Sequence, residues 1–256
     1  KEFAQCTSTL IFDDFLRVYF SCRPQRDNNG QYVSYTSYLD LNRENLMEIK
    51  NIADKPVMPL GDLGTFDEFA IYPTSVIRDG EKVLLYYAGW TRCQSTPYTV
   101  SIGLAISSDQ GKTFQRYSQG PILTNSPFEP FELSGPKIRR FNDRWILYYL
   151  AGERWKINEN NLAESVYKIR MATSNDGINW TKQNKNIIRN FLPESECQAG
   201  PDVSFYNGKY HMYFSYRYAF DFKNNDRGYR IGYATSNDLF NWKREEKNVG
   251  IGLSKS

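Results

Sequence analysis

The chain repeats itself about every 64 residues, and a fixed period of that length confines the fold to a repeat architecture. Three polar segments mark the period: Ser108-Asp109-Gln110-Gly111-Lys112-Thr113-Phe114, Ser174-Asn175-Asp176-Gly177-Ile178-Asn179-Trp180 and Ser236-Asn237-Asp238-Leu239-Phe240-Asn241-Trp242. Phe114 and Trp180 lie 66 positions apart, and Trp180 and Trp242 lie 62 apart. A second element recurs in step: a proline or threonine, a β-rich run, a polar hairpin and a tyrosine-rich run. Its copies begin at Pro73, Pro136 and Pro201 and lead into Leu84-Leu85-Tyr86-Tyr87, Ile146-Leu147-Tyr148-Tyr149 and His211-Met212-Tyr213-Phe214. A degenerate first copy runs from Thr7 to Ser21.

Each unit reads as four strands. In the second they are Thr74–Ile77, Val83–Ala88, Ser101–Ser107 and a short run at Phe114–Tyr117. Asp79-Gly80 and Asp109-Gln110-Gly111 supply the turns, because glycine after a polar residue provides the positive φ of a tight hairpin. The high aromatic content, 16%, suits half-buried pleated strands. A four-stranded unit cannot bury both faces alone, whereas units stacked radially bury one another. The fold expected is therefore all-β: a single β-propeller domain over 1–256, with units at about 1–60, 61–125, 126–190 and 191–256. The stretch Asn158–Lys168 reads as a loop inserted between strands. Four units fill the chain, which begins with Lys1 near a strand, and we read it as a fragment of a longer propeller.

Composition removes several classes of function. A net charge of +3 without a lysine-arginine run gives no electrostatic footprint for nucleic acid. No apolar run approaches the roughly 20 residues of a membrane helix. Cys6, Cys22, Cys93 and Cys197 match no metal motif; Cys6 and Cys22 could meet across one hairpin, but free thiols in a reducing, cytoplasmic setting are expected.

In a propeller the innermost strands line a central channel, so repeat-equivalent positions face one another. Five positions before each Pro or Thr stand Glu2, Glu68 and Glu196, with Phe131 and its neighbour Glu132 in the third unit. These acids would open the inner strands at one mouth, with Asp67 and Asp202 beside them. The second strands return to the same mouth through Trp90 and Arg92, Arg154 and Trp155, and Arg217. Clustered carboxylates raise one another's pKa, which lets one act as an acid while another stays ionised. Glu2, Glu68 and Glu196 are thus the catalytic candidates. Asp67, Trp90, Arg92, Glu132, Arg154, Trp155, Asp202 and Arg217 are the substrate-binding ones, for a carbohydrate or sugar-phosphate ligand. The competing reading is structural, with the acids accepting hydrogen bonds from neighbouring backbone. Asp109, Asp176 and Asp238 are turn formers, and His211, the sole histidine, falls in mid-strand and supports no triad. No cofactor is expected, although a carboxylate ring could hold one Ca²⁺.

The hairpins above, Gly200-Pro201-Asp202-Val203 with Asn207-Gly208-Lys209-Tyr210, Ser134-Gly135-Pro136, and the run from Phe66-Asp67-Glu68 to Gly89-Trp90 resemble one superfamily. It is that of the five-bladed propeller glycoside hydrolases and phosphorylases: arabinanases, xylosidases, invertases, levansucrases and mannoside phosphorylases. The resemblance implies five blades, of which this chain holds about four, and cleavage or transfer of a glycosidic bond by paired carboxylates. It also exposes two departures. The family's base stands in an Asp-Pro pair where this chain has Thr7, and its acid stands before Gly-Pro where this chain has Ser134. A non-catalytic carbohydrate-binding propeller, or an accessory protein of glycan synthesis, is the alternative that these departures favour.

Overall fold

The computed structural model describes residues 2–252 apart from 25, 29, 224, 225 and 250, with residues 2 and 3 described by backbone alone. It contains four four-stranded antiparallel sheets, each a meander in chain order. The first holds β1 (Glu2–Ile11), β2 (Phe15–Arg23), β3 (Tyr35–Asn42) and β4 (Ile49–Ile52). The second holds β5 (Ala70–Asp79), β6 (Lys82–Arg92), β7 (Tyr98–Ser107) and β8 (Gln115–Arg116). The third holds β9 (Leu133–Phe141), β10 (Arg144–Ile157), β11 (Ala163–Ser174) and β12 (Thr181–Lys182). The fourth holds β13 (Glu196–Tyr206), β14 (Lys209–Tyr218), β15 (Arg230–Ser236) and β16 (Lys243–Arg244), followed by a 3₁₀ turn at Glu246–Asn248. Four sheets are described, against the five blades that the resemblance implied.

The chain divides into two compact units: Lys1–Thr124 with Ser134–Ile138, and Asn125–Leu133 with Arg139–Ser256. The first is built on Tyr19, Ile71, Val83, Leu85, Tyr87 and Ala105, the second on Ile146, Tyr148, Ile169, Met171, Met212 and Ala234, all buried. The tyrosine-rich runs are therefore core strands; β6 is buried from Val83 to Gly89 without a break.

Inner strands carry a recurrent irregularity. The register of β1, β5 and β13 slips between Gln5 and Ser8, Tyr72 and Ser75, and Ala199 and Asp202. Cys6, Gly135 and Gly200 take positive φ of 51°, 55° and 55° at corresponding places. Such a bulge re-aims the side chains that follow it. In the first unit they face the next inner strand: Ser8 Oγ accepts the Val76 N–H and Ser75 Oγ accepts the Ile138 N–H, each at 2.9 Å.

One expectation is corrected. Residues 163–168 are not loop but the start of β11, paired from Ile157↔Ala163 to Ala151↔Lys168. Polar residues mask the strand pattern there, because Ser165 and Lys168 are buried against Glu132 and Asn190 rather than placed by strand alternation, and only residues 158–162 form the hairpin's tip.

Candidate functional site

The carboxylates at the strand entrances divide by what surrounds them. Asp67, just before β5, is fully buried. It accepts from Tyr87 Oη at 2.9 Å, Arg116 Nε at 2.8 Å and Thr65 Oγ1 at 3.2 Å. Glu129, before β9, is equally buried and accepts from Tyr149 Oη at 2.8 Å, with Arg170 at 3.1 Å and Lys182 at 2.7 Å. Glu196, at the start of β13, accepts from Arg244 at 2.7 Å and Gln198 at 2.8 Å on Oε1, and from the Phe191 and Leu192 amides at 3.0 Å on Oε2. Burial pushes the Glu196 carboxyl up, but the Gln198 amide, the two backbone amides and Arg244 outweigh it and hold it below its ordinary value.

The three acids follow one plan. Each pairs with a cation on the outermost strand of its own sheet: Arg116 on β8, Lys182 on β12, Arg244 on β16. Sequence reasoning missed these cations. The signal was present, since each stands two positions after the hairpin aromatic, at Phe114, Trp180 and Trp242. Glycine makes room for the arrangement: a Cβ on Gly89 would lie 2.7 Å from that of Asp67.

Glu68 is different. It is half-buried, and its carboxylate accepts the Gly64 N–H at 2.6 Å and the Thr91 hydroxyl at 2.5 Å. Those two donors, with the nearby Arg92, hold it below its ordinary pKa. Arg92 itself is exposed and bonds Asp27 at 2.6 Å and Gln31 at 2.8 Å. Trp90 packs between Tyr72 and Tyr98, with ring centroids 5.2 and 4.3 Å away. Glu2 lies in β1 by its backbone, and its side chain lies outside the described residues.

In the second unit Glu132 stands immediately before β9. Its carbonyl accepts the Gly152 N–H at 2.9 Å, which prolongs the strand ladder, and the glycine leaves space for the carboxyl. The side chain is buried and accepts from Ser165 Oγ. Burial pushes its pKa up, and the hydrogen bonds from Ser165, its own amide and Trp155 only partly offset this. Glu132 and Trp155 are thus brought together. Arg154 bonds Ser195 Oγ at 2.7 Å. Asp202, just after the β13 bulge, is ion-paired with Arg139, which also bonds the Val203 carbonyl at 3.0 Å. Arg217 is buried, with its guanidinium 3.7 Å from the centroid of Phe222 and bonded to Tyr167 Oη at 3.1 Å.

Other expectations fall into place around these. Asp109 and Asp238 are held down to about 2; Asp109 by the Ser107 hydroxyl and the Thr113 and Lys112 amides, against its partial burial, and Asp238 by the Asn241 amide and side chain. His211 Nε2 lies 3.0 Å from the Tyr206 carbonyl and Nδ1 2.6 Å from Tyr233 Oη, which makes Nε2 the donor in the neutral ring. All four cysteines are free thiols. Among the described residues no group of three or more His, Cys, Asp or Glu side chains is placed to hold a metal ion. Nor is any described helix long and apolar enough to cross a membrane.

This architecture is that of the β-propeller glycoside hydrolases and mannoside phosphorylases. A solved structure described as a glycoside hydrolase superimposes with a TM-score of 0.73, covering 98% of this chain and 74% of that one at 14% identity. A Bombyx mori GH32 beta-fructofuranosidase in complex with sucrose gives 0.68, over 95% of this chain and 48% of that one at 15% identity. A structure from the GH130 family of mannoside phosphorylases gives 0.66, over 95% and 70% at 14% identity. No family model matches the sequence. The chain belongs to the family of the Mycobacterium tuberculosis (strain H37Rv) protein named Uncharacterized protein Rv1502, to which it is 30% identical over 244 residues, 95% of this chain and 76% of that protein. It is also similar to a 1,2-beta-oligomannan phosphorylase of Thermoanaerobacter sp. (strain X514), 25% identical over 202 residues, 77% of this chain and 60% of that enzyme.

Proposed function

We propose that this protein is a carbohydrate-active enzyme that cleaves or transfers a glycosidic bond, with Glu132 as proton donor. The observation that carries the reading is the state of Glu132: a buried carboxyl with raised pKa, held by Ser165 and Trp155. A carboxyl whose pKa burial raises is better suited than an ordinary one to protonate a leaving glycosidic oxygen. Glu132 also stands two positions before Ser134, the place where the resembled family has its acid. Positions two apart along a strand share a face, so the acid is displaced along β9 rather than lost.

Asp202, ion-paired with Arg139 in the same unit, is assigned as the second carboxylate. In the reaction Glu132 gives its proton to the departing oxygen as the anomeric carbon is attacked. If water attacks, the products are two free sugars. If phosphate attacks, they are a sugar 1-phosphate and the shortened glycan. The name of the phosphorylase relative supports β-1,2-linked mannosides as first substrates and phosphate as acceptor. Glu68, ionised and half-buried, is assigned to substrate contact. Glu196 and Asp67, saturated by their own cations, are assigned to structure.

The test is an assay of β-manno-oligosaccharides and a broader glycan panel, with and without inorganic phosphate. Glu132→Gln is expected to lower kcat by about 10²–10⁴-fold with the fold intact. Full activity in that variant excludes Glu132 as the acid. A second reading, carbohydrate binding without catalysis, is favoured by Thr7, exposed where the resembled family carries its base. It predicts glycan binding by the wild type and no turnover of any panel member.

A further inference from the structure

We propose that Ser165 is a positioning residue for the acid: its hydroxyl fixes the Glu132 carboxyl in one orientation and takes up the charge left there when the proton departs. This rests on the reading of Glu132 as proton donor and adds to it the group that sets how readily the proton is released.

Three contacts fix the geometry. Ser165 on β11 stands opposite Trp155 on β10, and residues so paired share a face of the sheet. Glu132 reaches onto that face, where the Ser165 hydroxyl donates to Oε1 and the Trp155 side chain hydrogen-bonds the carboxyl. The other oxygen is seated on Gly152. A Cβ built there would lie 2.8 Å from Oε2 and 2.9 Å from the carboxyl carbon, so a larger residue would push the carboxyl aside. Ser165 itself has little freedom. It is 6% exposed, and its carbonyl accepts the thiol of buried Cys197 at 3.6 Å, which ties this point of β11 to β13.

The kind of donor matters. The donors to Glu132 are all neutral: the Ser165 hydroxyl, its own amide and the Trp155 indole. A cation in their place would hold the acid ionised before any reaction. A hydroxyl bonds a carboxylate more strongly than it bonds the neutral acid, so Ser165 stabilises the state after proton transfer more than the state before it. It works against burial without overcoming it. Glu68 shows the same contact in a wetter setting. There the Gly64 amide and the Thr91 hydroxyl hold a half-buried acid below its ordinary pKa, whereas burial keeps Glu132 above.

The test compares wild type, Ser165→Ala and Ser165→Thr by two readouts. The Glu132 carboxyl is titrated by ¹³C NMR, its resonance assigned by its loss in Glu132→Gln. Ser165→Ala is expected to raise the midpoint by about one pH unit, and Ser165→Thr, which keeps the hydroxyl, to return it toward the wild-type value. On any glycan that the wild type turns over, Ser165→Ala is expected to lower kcat roughly three- to tenfold with KM little changed, and to move the alkaline limb of the pH profile upward with the midpoint. Added to Glu132→Gln, it is expected to cost nothing more. A midpoint that stays in place in Ser165→Ala overturns the proposal. An equal loss of kcat in the Glu132→Gln background also overturns it, because a merely structural residue costs the same with or without the acid. A midpoint that moves as expected in a protein that turns over no glycan defeats the catalytic reading and leaves the hold of Ser165 on the carboxyl standing.

Discussion

Glu132 and Glu196 are the same residue at the mouths of two inner strands, both buried, and their carboxyls move in opposite directions. The difference is the number and kind of donors. Glu196 has four, one of them an arginine, whereas Glu132 has hydroxyl, amide and indole donors and no cation among the causes of its shift. Two stability effects follow. Glu196→Gln takes from buried Arg244 the more deeply buried of its two carboxylate partners and leaves it Glu246. The loss is therefore expected at or below the low end of the range for a broken buried pair. Breaking a buried pair from one side costs about 3–5 kcal/mol, to be read as a fall in the urea midpoint. Glu132 acts through pH. Its folded pKa is raised, so its contribution is complete below the unfolded value and lost as pH rises through the folded one. The stability of Glu132→Gln relative to wild type is therefore expected to rise between acid and neutral pH. A flat difference across that window would show that Glu132 ionises in the folded chain as it does in the unfolded one.

At the scale of the element, the outer hairpins are closed by side chains rather than by backbone alone. Asp109 accepts from the Lys112 and Thr113 amides at 3.0 Å each and from the Thr113 hydroxyl at 2.7 Å. The turn in turn seats against the first sheet, where Tyr19 Oη donates to the Gly111 carbonyl at 2.8 Å. Because Asp109 falls to about 2 from an ordinary 3.8, its contribution is present above the higher value and lost as pH drops toward the lower. Asp109→Asn is expected to cost on the order of 1 kcal/mol at neutral pH, less any solvent screening at this exposed site. It should also flatten the acid limb of a stability curve between about pH 4 and 2. These hairpins were legible in the sequence because a turn is a local contract among a few adjacent residues. The long β10–β11 hairpin was not, because Glu164, Ser165 and Lys168 are polar for reasons set elsewhere: Asn158, Glu132 and Asn190 are their partners.

At the scale of the whole molecule, the period disclosed the four sheets and their strand order, and its spacing set Glu68 and Glu196 at strand entrances but passed over Glu129. It did not disclose which acids were already spoken for. Asp67 and Glu68 are adjacent in sequence, yet one is sealed on Arg116 and the other half-exposed on Thr91. That distinction depends on a cation arriving from 49 positions away; its place two positions after the hairpin aromatic marks the cation, but nothing local says which of the two acids it seals. The same pairings make a last prediction about cooperativity. The partners of Asp67 that hold it (Thr65, Tyr87 and Arg116) all belong to the first compact unit, and those of Glu196 (Phe191, Leu192, Gln198 and Arg244) all belong to the second. In repeat proteins stability is a sum of local and nearest-neighbour terms, and regions open in contiguous groups. Hydrogen exchange followed by mass spectrometry should therefore show Asp67→Asn losing protection in β5–β8 while β13–β16 keep wild-type protection. Glu196→Gln should show the converse. If either substitution instead raises exchange evenly over all four sheets, the chain opens as one body and the two units are not separate in energy.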